Sequence, residues 1–154
     1  PQFIPERVRE KIRANREHYE TILVLYSDCG TGGRLQTVLE DEGVESIGGA
    51  HCYEMYAGTR AFAEITDEEI GSFFLTDYLV QHFDRLVYQG LGLDRHPQLR
   101  DSYFAHYKRV VYLAQRDSPS LREAAAAAAI RLGLELEIRQ TGNGSYQQFL
   151  NRHG

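Results

Sequence analysis

The chain has 154 residues, with 17 Lys and Arg against 22 Asp and Glu for a formal net charge of −5. That is the size of one globular domain; 42% hydrophobic and 25% charged residues exclude a disordered, fibrous or collagen-like chain, and the acidic balance argues against nucleic acid as a partner. The two cysteines are too few for a disulfide-built secreted domain; with no apolar run of membrane-span length and no basic or apolar leader in Pro1-Gln2-Phe3-Ile4-Pro5, a cytoplasmic protein without membrane contact is expected.

Pro5 opens an amphipathic helix over 5–18, with Val8 and Ile12 on its apolar stripe. Thr21-Ile22-Leu23-Val24-Leu25-Tyr26 reads as a strand covered on both faces. The glycine loop Asp28-Cys29-Gly30-Thr31-Gly32-Gly33 follows, then a helix with Leu35, Val38 and Leu39 that ends at Gly43. Val44–Ile47 is a second strand, and Cys52–Glu64 a helix. Ser72–Thr76 is a third strand, followed by a helix over Asp77–Leu91 with Leu79, Phe83, Leu86 and Val87 on one face. After Gly90-Leu91-Gly92, Pro97 opens a helix to about Tyr107, and Val110–Ala114 forms a fourth strand. Pro119 starts the alanine-rich helix Leu121–Leu132, stopped by Gly133. Leu134–Arg139 is an edge-like fifth strand and Ser145–Asn151 a closing helix.

Strands alternating with helices imply βαβ crossovers and a parallel sheet. The expected architecture is a single α/β domain over 1–154, a three-layer αβα sandwich with a mainly parallel, Rossmann-like sheet of about five strands. The chain begins at Pro1 without an initiator Met, so an N-terminally truncated fragment is expected.

Ligands of parallel sheets bind beyond the carboxyl ends of the strands. There the sequence places Asp28-Cys29-Gly30, His51-Cys52-Tyr53-Glu54, Thr76-Asp77, Gln115-Arg116-Asp117 and Thr141-Gly142-Asn143. Cys29 and Cys52 lie 23 residues apart, the spacing of successive strand ends. With His51 they form a soft-ligand set suited to zinc or iron, with Glu54, Asp28, His96, His106 or water as a fourth ligand. The competing readings are activated thiols at helix starts, including a redox pair, and small side chains packed in turns. Gly30, Thr31, Gly32 and Gly33 resemble an anion cradle, although they match neither a Walker A sequence nor a full dinucleotide fingerprint, and Asp28 beside them would repel phosphate. A tight turn explains them equally. His96, before Pro97, and His106 share 12 positions with Tyr103, Phe104 and Tyr107, a segment that reads as a pocket wall or, more simply, as core. Asp77 reads either as a helix cap or as a site acid.

The strings Tyr26-Ser27-Asp28-Cys29-Gly30-Thr31-Gly32-Gly33, His51-Cys52-Tyr53-Glu54, Phe73-Phe74-Leu75-Thr76-Asp77 and Gly90-Leu91-Gly92-Leu93-Asp94-Arg95-His96-Pro97 resemble the bacterial and archaeal domain-of-unknown-function family numbered 1638. The likeness covers nearly the whole chain. It implies a further strand and helix ahead of Pro1, with another cysteine near that strand, and brings no assigned reaction. An association with corrinoid-dependent methyl transfer frames one alternative only.

The leading expectation is a metal-binding α/β protein, a metalloenzyme if a coordination position stays open. Its ligands are Cys29, His51 and Cys52 for zinc or iron, with Glu54, His96 and His106 as acid/base candidates and a small molecule as substrate. One alternative is a cofactor-binding or accessory protein of corrinoid methyl transfer, using Gly30–Gly33 and a methyl-transfer partner protein. It lacks the Asp-x-His-x-x-Gly pattern of a lower cobalt ligand. Others are a reactive-thiol or redox protein without metal and a non-catalytic packed turn. A homo-oligomer is compatible with each.

Overall fold

A computed structural model describes residues 2–28, 30–48, 52–57, 62–63 and 71–153. The chain divides into two compact units, residues 1–59 with 144–154, and residues 60–143. Among the described residues, all strand pairs are parallel, in one two-stranded and one three-stranded sheet. Among the described residues, no helix is long and apolar enough to cross a membrane.

The first unit begins with helix α1 (Ile4–Asn15), with Pro5 in its first turn. Strand β1 (Leu23–Val24) pairs with β2 (Glu45–Ser46), and between them runs α2 (Arg34–Glu42). α2 stops at Gly43, whose positive φ of 60° lets its N–H reach back to the last carbonyls. Ile12, Leu35 and Leu39 form the buried core, joined by Val8, Ile22, Val24 and Val44. Ion pairs reinforce the α1–α2 contact: the Glu42 carboxylate accepts from Arg9 Nη1, Arg13 Nε and Arg16 Nη2 at 3.4, 2.8 and 3.1 Å. Arg16 Nη2 also donates to the Glu42 carbonyl. Helices α3 (Cys52–Ala57) and α7 (Gly144–His153) pack together, with Tyr56 and Tyr146 stacked at 5.8 Å.

Among the described residues, the expected strand over 21–26 has ladder pairs at Leu23 and Val24. Leu25 and Tyr26 are exposed, and an apolar cleft of about 790 Å³ opens between α1 and this segment. Apolar composition announced a run able to be covered on both faces; it did not specify the length of the hydrogen-bonded ladder.

The second unit has strand order β3 (Ser72–Thr76), β4 (Arg109–Ala114), β5 (Glu135–Gln140). Val110 through Ala114 are completely buried, as expected for a central strand without alternation. β5 is an edge with half-buried residues, as its alternation suggests. Helix α6 (Pro119–Leu132) lays Ala125, Ala128, Ala129 and Leu132 on the core, and these small side chains keep the helix close to the sheet. Ser118 caps its start and Gly133 its end.

The expected continuous helix over 77–91 is interrupted. α4 (Asp77–Gln81) gives way to a π-helical turn over Asp84–Tyr88, where Gln89 N donates to the Asp84 carbonyl at 2.8 Å, five residues back. Phe83 and Val87 still reach the core, but Leu86 is exposed. Arg131, ion-paired with Asp84, lies 4.0 Å from the Tyr88 ring centroid and fastens this turn to α6. The expected helix from Pro97 to Tyr107 shortens to α5 (Leu99–Tyr103). Phe104 then turns inward to meet Phe73 edge-on at 5.3 Å, anchoring the turn as core.

Candidate functional site

In the first unit, β1 runs into Leu25-Tyr26-Ser27 and then the glycine loop. Asp28 organises that loop. Its carboxylate accepts from the Thr31 hydroxyl and from Gly33 N at 2.8 Å, while its carbonyl accepts from Thr31 N at 2.7 Å. These donors hold the Asp28 carboxyl below its ordinary pKa, the Thr31 hydroxyl first and the Gly33 amide second. Gly33, the N-cap of α2, has φ 81°, which an L side chain rarely adopts. An external anion at Gly30–Gly33 would therefore compete with the chain's own carboxylate for Thr31 and Gly33.

Cys29 and His51 lie outside the described residues. Their chain neighbours do not: Ser27, two residues before Cys29, and Cys52, next to His51, line one cavity of about 250 Å³ with Leu25, Tyr26, Met55, Tyr56 and Tyr146. Ser27 is buried and Cys52 half-buried. The Tyr146 phenol is held above its ordinary pKa, mainly by burial and then by negative charge on Cys52. It therefore remains a protonated hydroxyl at neutral pH, close enough to sense the thiol. The described walls carry no Lys, Arg, Asp or Glu. Such a space suits a small ligand with an apolar body.

Glu54 shares the first turn of α3 with Cys52, two residues on, so the two side chains leave the helix on different faces. His96 and His106, in the second unit, are both exposed. His96 N donates to the Gly92 carbonyl at 2.9 Å and its carbonyl accepts from Leu99 N, an ordinary turn. Among the described residues no three His, Cys, Asp or Glu side chains gather to hold a metal ion. The expected trio includes two residues outside that set.

A second polar constellation closes the three-stranded sheet. Asp77, the first residue of α4, is buried behind the Thr76 cap. Its Oδ1 accepts from the Tyr112 hydroxyl at 2.7 Å and from Gln115 N at 3.0 Å, and its Oδ2 from Arg116 Nε at 3.0 Å. Gln115 returns a bond, its Oε1 accepting from Asp77 N at 2.8 Å, and its amide nitrogen donates to the Leu113 carbonyl. Burial, reinforced by the Asp77 carboxylate, holds the Tyr112 phenol well above its ordinary range. Strand-end position pointed to Asp77, Gln115 and Arg116; it gave no sign of Tyr112, whose hydroxyl lies inside a run that reads as plain core.

The family described as "Protein of unknown function (DUF1638)" matches residues 1–150. No curated protein and no solved structure gives a significant match.

Proposed function

The chain belongs to the DUF1638 family, and from that premise we propose that it is a metal-binding α/β protein in which Cys29, His51 and Cys52 hold zinc or ferrous iron beside a small-molecule cavity. One observation carries the reading: Ser27 and Cys52, near neighbours in sequence of Cys29 and His51, face the same cavity of about 250 Å³. Two peptide units span at most about 7 Å, which limits how far the Cys29 Cα can stand from that of Ser27. Two thiolates and an imidazole are the donor chemistry that zinc and ferrous iron accept, and three protein ligands leave a position for substrate. A bound ion of this kind supplies Lewis acidity. The chain's own contribution is the chamber. Tyr56 and Tyr146 form an aromatic wall, Tyr146 offers a protonated hydroxyl, and Glu54 in the same unit is the acid/base candidate.

The Rossmann-like reading of the whole chain belongs to this proposal, supported by parallel pairing in both units and by strand–helix alternation. A reactive-thiol protein without metal uses the same cysteines. The corrinoid alternative rests on the Gly30–Gly33 loop, where Asp28 already takes the Thr31 hydroxyl and the Gly33 amide.

Elemental analysis of protein purified without added metal is the test. Near-stoichiometric zinc or iron, lost in Cys29→Ser and Cys52→Ser variants that retain the native circular-dichroism spectrum, is expected. Protein that stays metal-free after incubation with either ion overturns the reading; fast alkylation of both thiols in such protein would favour the redox alternative.

A further inference from the structure

The second unit carries a site that the metal reading neither uses nor requires. Its three strand ends are tied together at one level: Gln115 receives Asp77 N, and the Ala114 carbonyl accepts from Thr141 N at 2.9 Å and from Gly142 N at 3.2 Å. This is the carboxyl edge of a parallel sheet, the side on which such sheets bind ligands.

Asp77 is 6% exposed, and both its oxygens are engaged. Tyr112 and Gln115 N take Oδ1, leaving Oδ2 for Arg116, which reaches it through Nε alone. The Arg116 side chain is 65% exposed, and its two terminal nitrogens donate to no described residue. A guanidinium is planar, so fixing Nε on a buried carboxylate also restricts the direction of the terminal N–H fork. Stability alone gives weak reason for this arrangement, since buried ion pairs are often replaceable by apolar side chains at no loss. The exposed acid next along the chain, Asp117, is neutralised by Arg122 at 2.9 Å and does not compete for the fork. Helix α6 adds the same sign of field, with no acidic residue in its first turn.

We propose that Arg116, oriented by Asp77, binds an oxyanion group of a ligand, a carboxylate or a phosphate, at the carboxyl edge of the three-stranded sheet. Arg116 makes the contact and Asp77 is its positioning residue. Two terminal N–H groups match two acceptor oxygens, the geometry shared by both anions.

Titration of the isotopically labelled full chain with inorganic phosphate, and separately with acetate, tests this at constant ionic strength by NMR at the Arg116 side-chain N–H and, in every variant, at the backbone amides of residues 115–117. A saturable shift is expected with at least one anion, and the tighter of the two identifies a phosphoryl or a carboxylate ligand. Arg116→Gln should abolish saturation, and Arg116→Lys, which keeps the charge and loses the fork, should weaken binding roughly tenfold, about the worth of one charge-assisted bond. Asp77→Asn should weaken it several-fold with Arg116 unchanged, which a purely structural role for the pair would not produce. Should Asp77→Asn fail to fold, Arg116→Lys alone decides. Shifts that stay linear with both anions, or equal affinity in wild type and Arg116→Lys, overturn the proposal. Arg95→Gln, at an exposed arginine whose ion-pair partner is the neighbouring Asp94, serves as the charge-matched control and should retain wild-type affinity.

Discussion

The carboxyl edge of the three-stranded sheet is closed by its own side chains, whereas that of the two-stranded sheet opens into a cavity. In the second unit β4 is buried from Val110 to Ala114, and Asp77, Tyr112 and Gln115 bond one another at the strand ends, with the Arg116 fork exposed. In the first, the ladder is two residues long, Leu25 and Tyr26 are exposed, and Cys52 and the stacked tyrosines line a space rather than fill it. A long ladder covered by close-packed alanines leaves little room at its end. A short ladder with a glycine loop leaves space that Cys52 and aromatic faces line. The two units thus differ in how completely their sheet edges are filled.

The sharpest way to break this comparison is in the cores. Leu75 is fully buried in a cluster of 13 buried residues, and Leu75→Ala should cost about 3 kcal/mol. Leu35, 1% exposed, belongs to a cluster of only three buried residues that can collapse more readily, so Leu35→Ala should cost roughly 2 kcal/mol. Native-state hydrogen exchange reads both. Faster exchange in β4 from the first variant and in α2 from the second is expected; identical changes throughout both units would show that the division is not energetic.

Next comes Asp77. Asp77→Ala leaves the Tyr112 hydroxyl, the Gln115 amide and the Arg116 guanidinium without their acceptor and should cost about 2–3 kcal/mol in urea denaturation. Tyr112→Phe removes one donor and should cost about 1 kcal/mol. Equal losses in the two variants would mean that the carboxylate adds nothing beyond its bond to Tyr112.

The acid response sharpens the contrast from the other side. Glu42 lies below its ordinary pKa, first through its bond from Arg13 and then through the charges of Arg13, Arg16 and Arg9. A carboxylate held low in the folded chain stabilises fully above its unfolded value, about 4.5, and this contribution is lost as pH falls through the depressed folded value. Thermal midpoints should therefore drop between neutral pH and pH about 3, and Glu42→Gln should flatten that drop for α1 and α2 amides. An unchanged pH profile would remove Glu42 as the acid-labile tie. Glu137, held low first by Arg139 and then by Arg109, gives the second unit a response of the same sign.

Much of the fold was legible because it rests on local rules. Pro5, Gly43, Pro119 and Gly133 mark helix ends, and Ser72–Thr76 and Val110–Ala114 read as strands from composition alone. What was not legible depends on register and tertiary bonds. The extra residue of the π-helical turn leaves the face of Phe83 and Val87 intact, so apolar spacing could not reveal it. The pairing of β1 at Leu23 and Val24 depends on register with β2, which the run itself does not encode. For the candidate site, strand-end logic pointed to Cys52, Asp77 and Arg116, but Tyr146 joins the cavity from 94 positions beyond Cys52, and Ser145–Asn151 carried no signal beyond helix periodicity.

The smallest expected effects lie at two helix starts. α2 begins at Gly33 with φ 81° and its amide on Asp28; α6 begins at Ser118, whose hydroxyl accepts from Leu121 N. Gly33→Ala meets no atom within 4 Å, so only backbone strain opposes it, about 1 kcal/mol. Ser118→Ala loses a cap of about the same worth. Equal costs separate in kind through Asp28. Any shift of the Gly33 amide in Gly33→Ala weakens the second of the two bonds that hold that carboxyl low, so its titration, followed by NMR, should move up toward the ordinary value of 3.8. Ser118→Ala should leave it unmoved. A Gly33→Ala variant that folds with no change at Asp28 would show that the Thr31 hydroxyl alone organises the loop, and that the glycine serves the turn rather than the carboxylate.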